Sequence, residues 1–404
     1  MESERWKVEG EEQGARREPL LSRRTGWPLA PNRLHELALA RRAAGTLLDL
    51  TQSNPTVCGF HYPEAALRAA LAQPAAMVYE PAPQGLAVAR RAIAAYYAGR
   101  GLELSPERLV LTASTSEAYA LLFRLLGDPG DAVVMPTPSY PLFEMLATAH
   151  DLRLQAAPME YAGRWELDFE ALAAAEAATK AVLLVHPNNP TGAYLSAAAW
   201  ERVQALAAGR GWAVVVDEVF FDYPLEQPAV ALELERVPAL TFVLNGLSKL
   251  AALPQMKLAW IGVFGPEPAR RAALARLEVL NDLFLSAGAP IQHAAAAVLA
   301  SRGMVQEQIR ARLRQNLASL DRGLAARAAA GVTRLRVEGG WNAVLRLPRV
   351  RSDEAWAELA VERAGVLTHP GHFYGFTAEA HLVVSLLPPE ADFARGVDRL
   401  LQLE

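Results

Sequence analysis

Two apolar runs, residues 181–186 and 213–218, restrict the fold of this chain more than any other feature. The first reads Ala, Val, Leu, Leu, Val, His and the second Ala, Val, Val, Val, Asp, Glu. Neither alternates polar with apolar residues, as a strand with one wet face does. Such strands are covered on both faces, the situation in a parallel sheet wound with helices. Short apolar runs at 109–112, 132–135, 152–156, 240–244 and 258–263 bring the total to about seven strands. Helical stretches such as 114–126 and 197–209 separate them. The expectation is an α/β fold with helices on both faces of the sheet.

Beyond Gly331 the texture changes. Strand-like runs at 334–338, 343–347 and 382–387 surround a helical stretch at 353–364, a pattern of α+β type. Residues 269–287 and 291–304 read as helical, and 305–330 as a long connecting helix. The first 27 residues mix Glu, Arg and Gly without an apolar core. They read as a mobile tail, neither a signal nor a transit peptide.

Composition narrows the function. The 404 residues are 52% hydrophobic and 21% charged, with a net charge of −4. No basic excess points to nucleic acid, and no apolar run reaches the length of a membrane span. A single cysteine, Cys58, excludes an internal disulfide framework and a cysteine-built zinc site, and no metal is expected. It fits a reducing, cytoplasmic setting.

The polar residues at the ends of the apolar runs carry the chemistry. Run 240–244 leads through Asn245, Gly246, Leu247 and Ser248 to Lys249, with Lys257 eight positions on. Asp217 ends another run, and Asn189 follows a third. In a doubly wound sheet those ends converge on one crevice. A poorly solvated amine there can form a Schiff base. A buried carboxylate calls for a cation. Ser114, Thr115 and Ser116 open a helix, where capping needs one hydroxyl and an anion can use the others. The stiff loop 136–140 aims Tyr140. Each feature alone has an ordinary explanation: a solvated lysine, a salt-bridged aspartate, a capped helix.

Together they match pyridoxal 5′-phosphate. Lys249 would hold the aldehyde as an imine, and Asp217 would pair with the ring nitrogen. Ser114, Thr115, Ser116, Ser248 and Lys257 hold the phosphate. Tyr140 stacks on the ring, and Asn189 donates to its oxygen.

These residues also carry a resemblance. Tyr79 to Gly85, residues 112–118, Pro136 to Tyr140, Asn188 to Gly192, Asp217 with Glu218, and Ser248 with Lys249 are similar to motifs of the class I/II aminotransferases of pyridoxal-phosphate fold type I, which resemble aspartate aminotransferase. The resemblance runs from about Asn32 to the C-terminus. It implies a large domain with a seven-stranded, mostly parallel sheet and a small domain built from both chain ends. The expected division is a tail 1–27, a first part of the small domain 28–60, a large domain 61–304, and a connecting helix with the C-terminal small domain 305–404. It further implies a homodimer in which Tyr79 reaches the neighbour's cofactor phosphate. Ser53 and Asn54 are placed by the substrate carboxylate, beside Asn189.

The chain departs from that family in four places. Gly246 stands where Ser is frequent, Lys257 where Arg is usual, and Phe220 where Tyr is usual. Val383 stands where an arginine commonly grips the substrate carboxylate; Arg33 and Arg346 are possible substitutes. The resulting expectation is an aminotransferase that moves an amino group between an amino acid or related amine and a 2-oxo acid by a ping-pong route. Val383 keeps a lyase, decarboxylase or synthase on the same scaffold in view. A non-enzymatic ligand sensor is the third possibility.

Overall fold

The two apolar runs lie side by side. Thr179–Val185 pairs in parallel with Ala213–Asp217 near the middle of an eight-stranded sheet. This computed structural model describes residues 20–403, so residues 1–19 of the expected tail lie outside the described residues. From edge to edge the sheet runs Leu109–Thr112, Ala259–Phe264, Thr241–Gly246, Ala213–Asp217, Thr179–Val185, Ala132–Thr137, Arg153–Tyr161 and Trp165–Leu167. All seven expected strands are present. The eighth, Trp165–Leu167, is an antiparallel edge strand of three residues, too short to show a period in sequence. Ala259–Phe264 runs antiparallel to both its neighbours, and the five strands from Thr241–Gly246 to Arg153–Tyr161 are parallel.

The unbroken apolar runs have the predicted cause. Val182, Leu184, Val214 and Val216 enter one core, beneath helices Ala87–Ala98, Ala197–Arg210 and the start of Ala289–Ala326. Ala181, Leu183, Val185, Ala213 and Val215 enter the other, beneath Thr115–Leu126, Leu142–Ala149 and Glu267–Asp282. Alternate side chains point to opposite faces, and both faces are dry. Burying one such side chain contributes roughly 1.5–3 kcal/mol, so a polar residue at any of these positions opposes the fold.

A second, four-stranded antiparallel sheet joins Thr333–Arg334, Asn342–Arg346, His381–Ser385 and His369–Pro370. The strand expected at 334–338 is cut to two residues. Beyond it the chain bonds elsewhere: Val337 N–H donates to Glu226, and the Glu338 carbonyl accepts from Leu225. Leu34, Leu50 and Cys58 share a core with Trp356, Leu382 and Val397, so residues from both parts of the chain pack together. Ala289–Ala326 is one continuous helix of 38 residues, where the sequence suggested a break after 304. Gly303 costs it about 1 kcal/mol relative to Ala. Packing offsets that: Ile291 to Leu299 face the large-sheet core, and Val305 to Leu320 the small-sheet core.

Candidate active site

Lys249 sits on a four-residue helical turn, Leu247–Leu250, that follows directly from strand Thr241–Gly246. Buried Leu247 and Leu250 anchor the turn. The Tyr223 hydroxyl donates to the Lys249 carbonyl across 2.6 Å, which fixes the backbone while the side chain enters the crevice. Nζ lies 5.2 Å from the Trp341 ring centroid and 6.0 Å from that of Phe220. The amine makes no ion pair among the described residues. Burial pulls its pKa down to about 8; Asp217 opposes the shift and Lys257 adds to it.

Asp217 ends the neighbouring parallel strand and is 6% exposed. Oδ1 accepts the Val219 N–H at 3.0 Å, and Oδ2 accepts the Tyr119 hydroxyl at 3.4 Å. Burial pushes its pKa up to about 7. Those two hydrogen bonds pull it back, Glu218 adds to the rise, and Lys249 opposes it. Glu218 is itself held by Arg100 at 2.7 Å. Asp217 thus lacks a direct cation and has acceptor capacity left.

The hydroxyl cluster divides as capping requires. Ser114 caps Thr115–Leu126 by accepting the Glu117 N–H at 3.1 Å. The Thr115 and Ser116 hydroxyls make no hydrogen bond among the described residues. Glu117 folds back to accept the Ala113 N–H and the Ser286 hydroxyl, at 2.6 and 2.7 Å. Two hydroxyls and a positive helix end therefore remain for an anion. Ser248 is half-buried and Lys257 exposed, the latter with φ of +50°.

Tyr140 packs edge-on against Phe143 at 5.8 Å and keeps 37% of its surface exposed. Burial raises its pKa, and Asp217 adds to the rise. Asn189 accepts a hydrogen bond from Asn342 at 2.8 Å, a link between the two sheets. Ser53 and Asn54 are exposed, and Asn54 is spent on its own turn, where Oδ1 accepts from Thr56. The preceding residue is pinned to the small sheet, since the Ser385 hydroxyl donates to the Gln52 carbonyl at 2.7 Å. Tyr79 is 79% exposed beside a cavity of about 240 Å3 that Asn281 and Ser286 also line. It touches neither Lys249 nor Asp217.

The departures have structural reasons. A Cβ on Gly246 would come within 2.8 Å of the Ala259 Cβ, so serine does not fit without a shift. Phe220 packs against Trp341 at 5.4 Å. Val383 is 1% exposed, and register places it on the same sheet face as Asn342. Neither arginine substitutes for the missing one. Arg33 is exposed and engaged with Glu362 and Glu358. Arg346 is exposed, four residues along the strand from Asn342, or about 13 Å. The sequence did not single out Tyr119 or Asn342. Tyr119 stands four residues beyond Thr115, hence on the same helix face, which was the available signal. Asn342 carried none.

A doubly wound sheet that brings a desolvated amine and a buried carboxylate to one crevice defines an α/β enzyme of the aspartate aminotransferase-like class. The comparisons agree. Residues 46–400 match the family described as Aminotransferase class I and II, and the chain belongs to it. It is 27% identical over 390 residues to an alanine aminotransferase of Mycobacterium tuberculosis, covering 91% of this chain and 88% of that protein. It is 28% identical over 284 residues to the glutamate-pyruvate aminotransferase AlaA of Haemophilus influenzae, covering 68% and 69%. Among solved structures, an alanine aminotransferase from Pyrococcus furiosus superposes with a TM-score of 0.84 at 22% identity, over 95% of this chain and 98% of that one. An aspartate aminotransferase mutant of Thermus thermophilus gives 0.81 at 25% identity, over 95% and 99%. The protein is an enzyme that transfers amino groups, and the lyase, decarboxylase and synthase alternatives are not favoured.

Proposed function

We propose that the crevice binds pyridoxal 5′-phosphate and moves amino groups between an amino donor and a 2-oxo acid, with Lys249 as the covalent attachment point. The residues fit that group. Two unengaged hydroxyls at a helix start suit a phosphate, and Ser114, Ser248 and Lys257 complete the set assigned to it. A buried carboxylate without a cation suits a protonated ring nitrogen. An amine of lowered pKa suits an aldehyde.

When bound, the cofactor supplies an electron-withdrawing ring that carries the amino group between two half-reactions. The chain's own residues do the rest. Asp217 stays anionic and holds a proton on the heterocycle. Tyr140 covers the ring. Asn189 donates from Nδ2, because its Oδ1 is occupied by Asn342. Lys249 Nζ, once a substrate amine has replaced it, takes and returns the proton of the substrate carbon. Ser53 and Asn54 lie toward the substrate end. Trp341, Phe220 and Val383 favour an apolar substrate side chain.

In this reading residues 28–60 and 305–404 form the small domain and 61–304 the large one. A second copy covers the exposed apolar group of Met77, Val78, Tyr79, Leu283 and Phe284 and receives Tyr79 at its phosphate. The buried, free Cys58 suits a cytoplasmic setting. No described helix is long and apolar enough to cross a membrane.

One observation carries the proposal: buried Asp217 ends one strand, and Lys249 follows directly from the end of its parallel neighbour. The test is spectral. Amino donors should change the absorbance of the cofactor-loaded enzyme, and 2-oxo acids should restore it; a change that no 2-oxo acid reverses would contradict the ping-pong route.

A further inference from the structure

Beside a two-stranded parallel sheet, Leu48–Asp49 with Val366–Leu367, lies a basic basin that the amino-transfer site does not use. Arg41, Arg363, Arg395 and Arg399 line a cavity of about 680 Å3, with Leu48 and Gly365 on its floor. Arg395 is paired with Asp392 at 2.5 Å. The other three have no carboxylate partner among the described residues. Arg41 donates to the Glu362 carbonyl and Arg399 to the Ala364 carbonyl, and a main-chain carbonyl neutralises no charge. Arg363 makes no hydrogen bond or ion pair among the described residues. The nearby acids among the described residues are paired elsewhere: Glu362 with Arg33, Asp398 with Arg327 and Asp49 with Arg42. Three guanidinium groups without a carboxylate partner among the described residues thus converge on one concavity in a chain of net charge −4. Guanidinium groups suit bidentate contacts to phosphate oxygens.

The floor of the basin is a close backbone crossing. The Gly365 carbonyl accepts the Leu48 N–H at 2.8 Å, and Leu48–Asp49 pairs in parallel with Val366–Leu367. Gly365 has φ of +65°, and a Cβ there would meet the Thr46 carbonyl oxygen at 2.8 Å, so only glycine permits the crossing. Both strands continue into segments bonded to strand His381–Ser385, whose Ser385 pairs with Asn342, the partner of Asn189. One reaches Leu50, whose carbonyl accepts from Ser385, and then Ser53 and Asn54. The other reaches His369, which is paired with Val383.

We propose that this basin is a regulatory site for a small polyphosphorylated anion, such as a nucleoside diphosphate. Its binding draws the arginines together over the crossing and restrains the two strands that lead to the substrate end of the crevice. The regulatory half rests on the function proposed above; the binding half does not.

Calorimetric titration of the cofactor-loaded enzyme with inorganic pyrophosphate tests it, because the cofactor's own phosphate subsite is then filled. Saturable binding is expected, weakening with added salt and falling about tenfold in each of Arg363→Gln and Arg399→Gln. Pyrophosphate should also shift KM for the amino donor in the native enzyme and not in the double variant. Absence of saturable binding, or equal binding by the double variant, overturns the site. Tighter binding of citrate than of pyrophosphate overturns the phosphate assignment. Unaltered KM at saturating pyrophosphate overturns the regulatory role. None of these outcomes bears on whether Lys249 binds the cofactor.

Discussion

The Tyr119 hydroxyl donates to Asp217 Oδ2 across 3.4 Å, from the same helix whose first turn carries Ser114, Thr115 and Ser116. One rigid element therefore fixes both the proposed phosphate end and the partner of the ring nitrogen. Tyr119 is 2% exposed, and Phe143 packs against it at 4.8 Å.

Removing that donor should weaken the anionic form of Asp217. Tyr119→Phe keeps the ring packing and lets burial raise the carboxyl pKa further above about 7. Cofactor affinity, read by fluorescence titration of the cofactor-free protein, should fall roughly three- to tenfold at pH 7. The loss should shrink at pH 9, where Asp217 is ionised in both proteins. A loss independent of pH would point to packing instead.

Lys249 should capture an aldehyde at lower pH than an ordinary lysine. Only the neutral amine attacks, and burial places its pKa at about 8, against about 10.4 for a solvated lysine. Stopped-flow absorbance should show the rate rising with a midpoint near pH 8. Lys257→Gln removes a like charge and should move the midpoint upward.

The sheet was legible because its strands are apolar on both faces, as the division of Val214 and Val215 between two cores shows. Asp217 and Lys249 stood out in the sequence because they interrupt that pattern at strand ends. Other features left no local trace. Trp165–Leu167 is too short to show a period, and the antiparallel direction of Ala259–Phe264 depends on its partners. The helix across Gly303 is held by two separate cores. Asn342 acquires its role only through contact with Asn189, 153 positions away.

Burial of Asp217 should cost stability in the cofactor-free protein. Its folded pKa of about 7 lies above the unfolded value of 3.8, so the folded state binds the extra proton. The stability this contributes is full below pH 4 and is lost as pH rises through about 7. Asp217→Asn should therefore stabilise the cofactor-free protein increasingly between pH 4 and 7, by on the order of 4 kcal/mol at pH 7, and raise its melting temperature accordingly. Calorimetric scans across that range check the sign.

The exposed apolar group around Tyr79 should be an interface. Phe284→Asp places a charge in it and should shift sedimentation toward a smaller species, with weaker cofactor retention. Unchanged sedimentation at all concentrations would contradict an interface at this surface.

The most direct measurement is reduction of the cofactor-loaded enzyme with borohydride, followed by peptide mapping. One pyridoxyl adduct on Lys249, absent in Lys249→Ala, is the predicted result; an adduct on another lysine such as Lys257, or none at all, would contradict the covalent role assigned to Lys249.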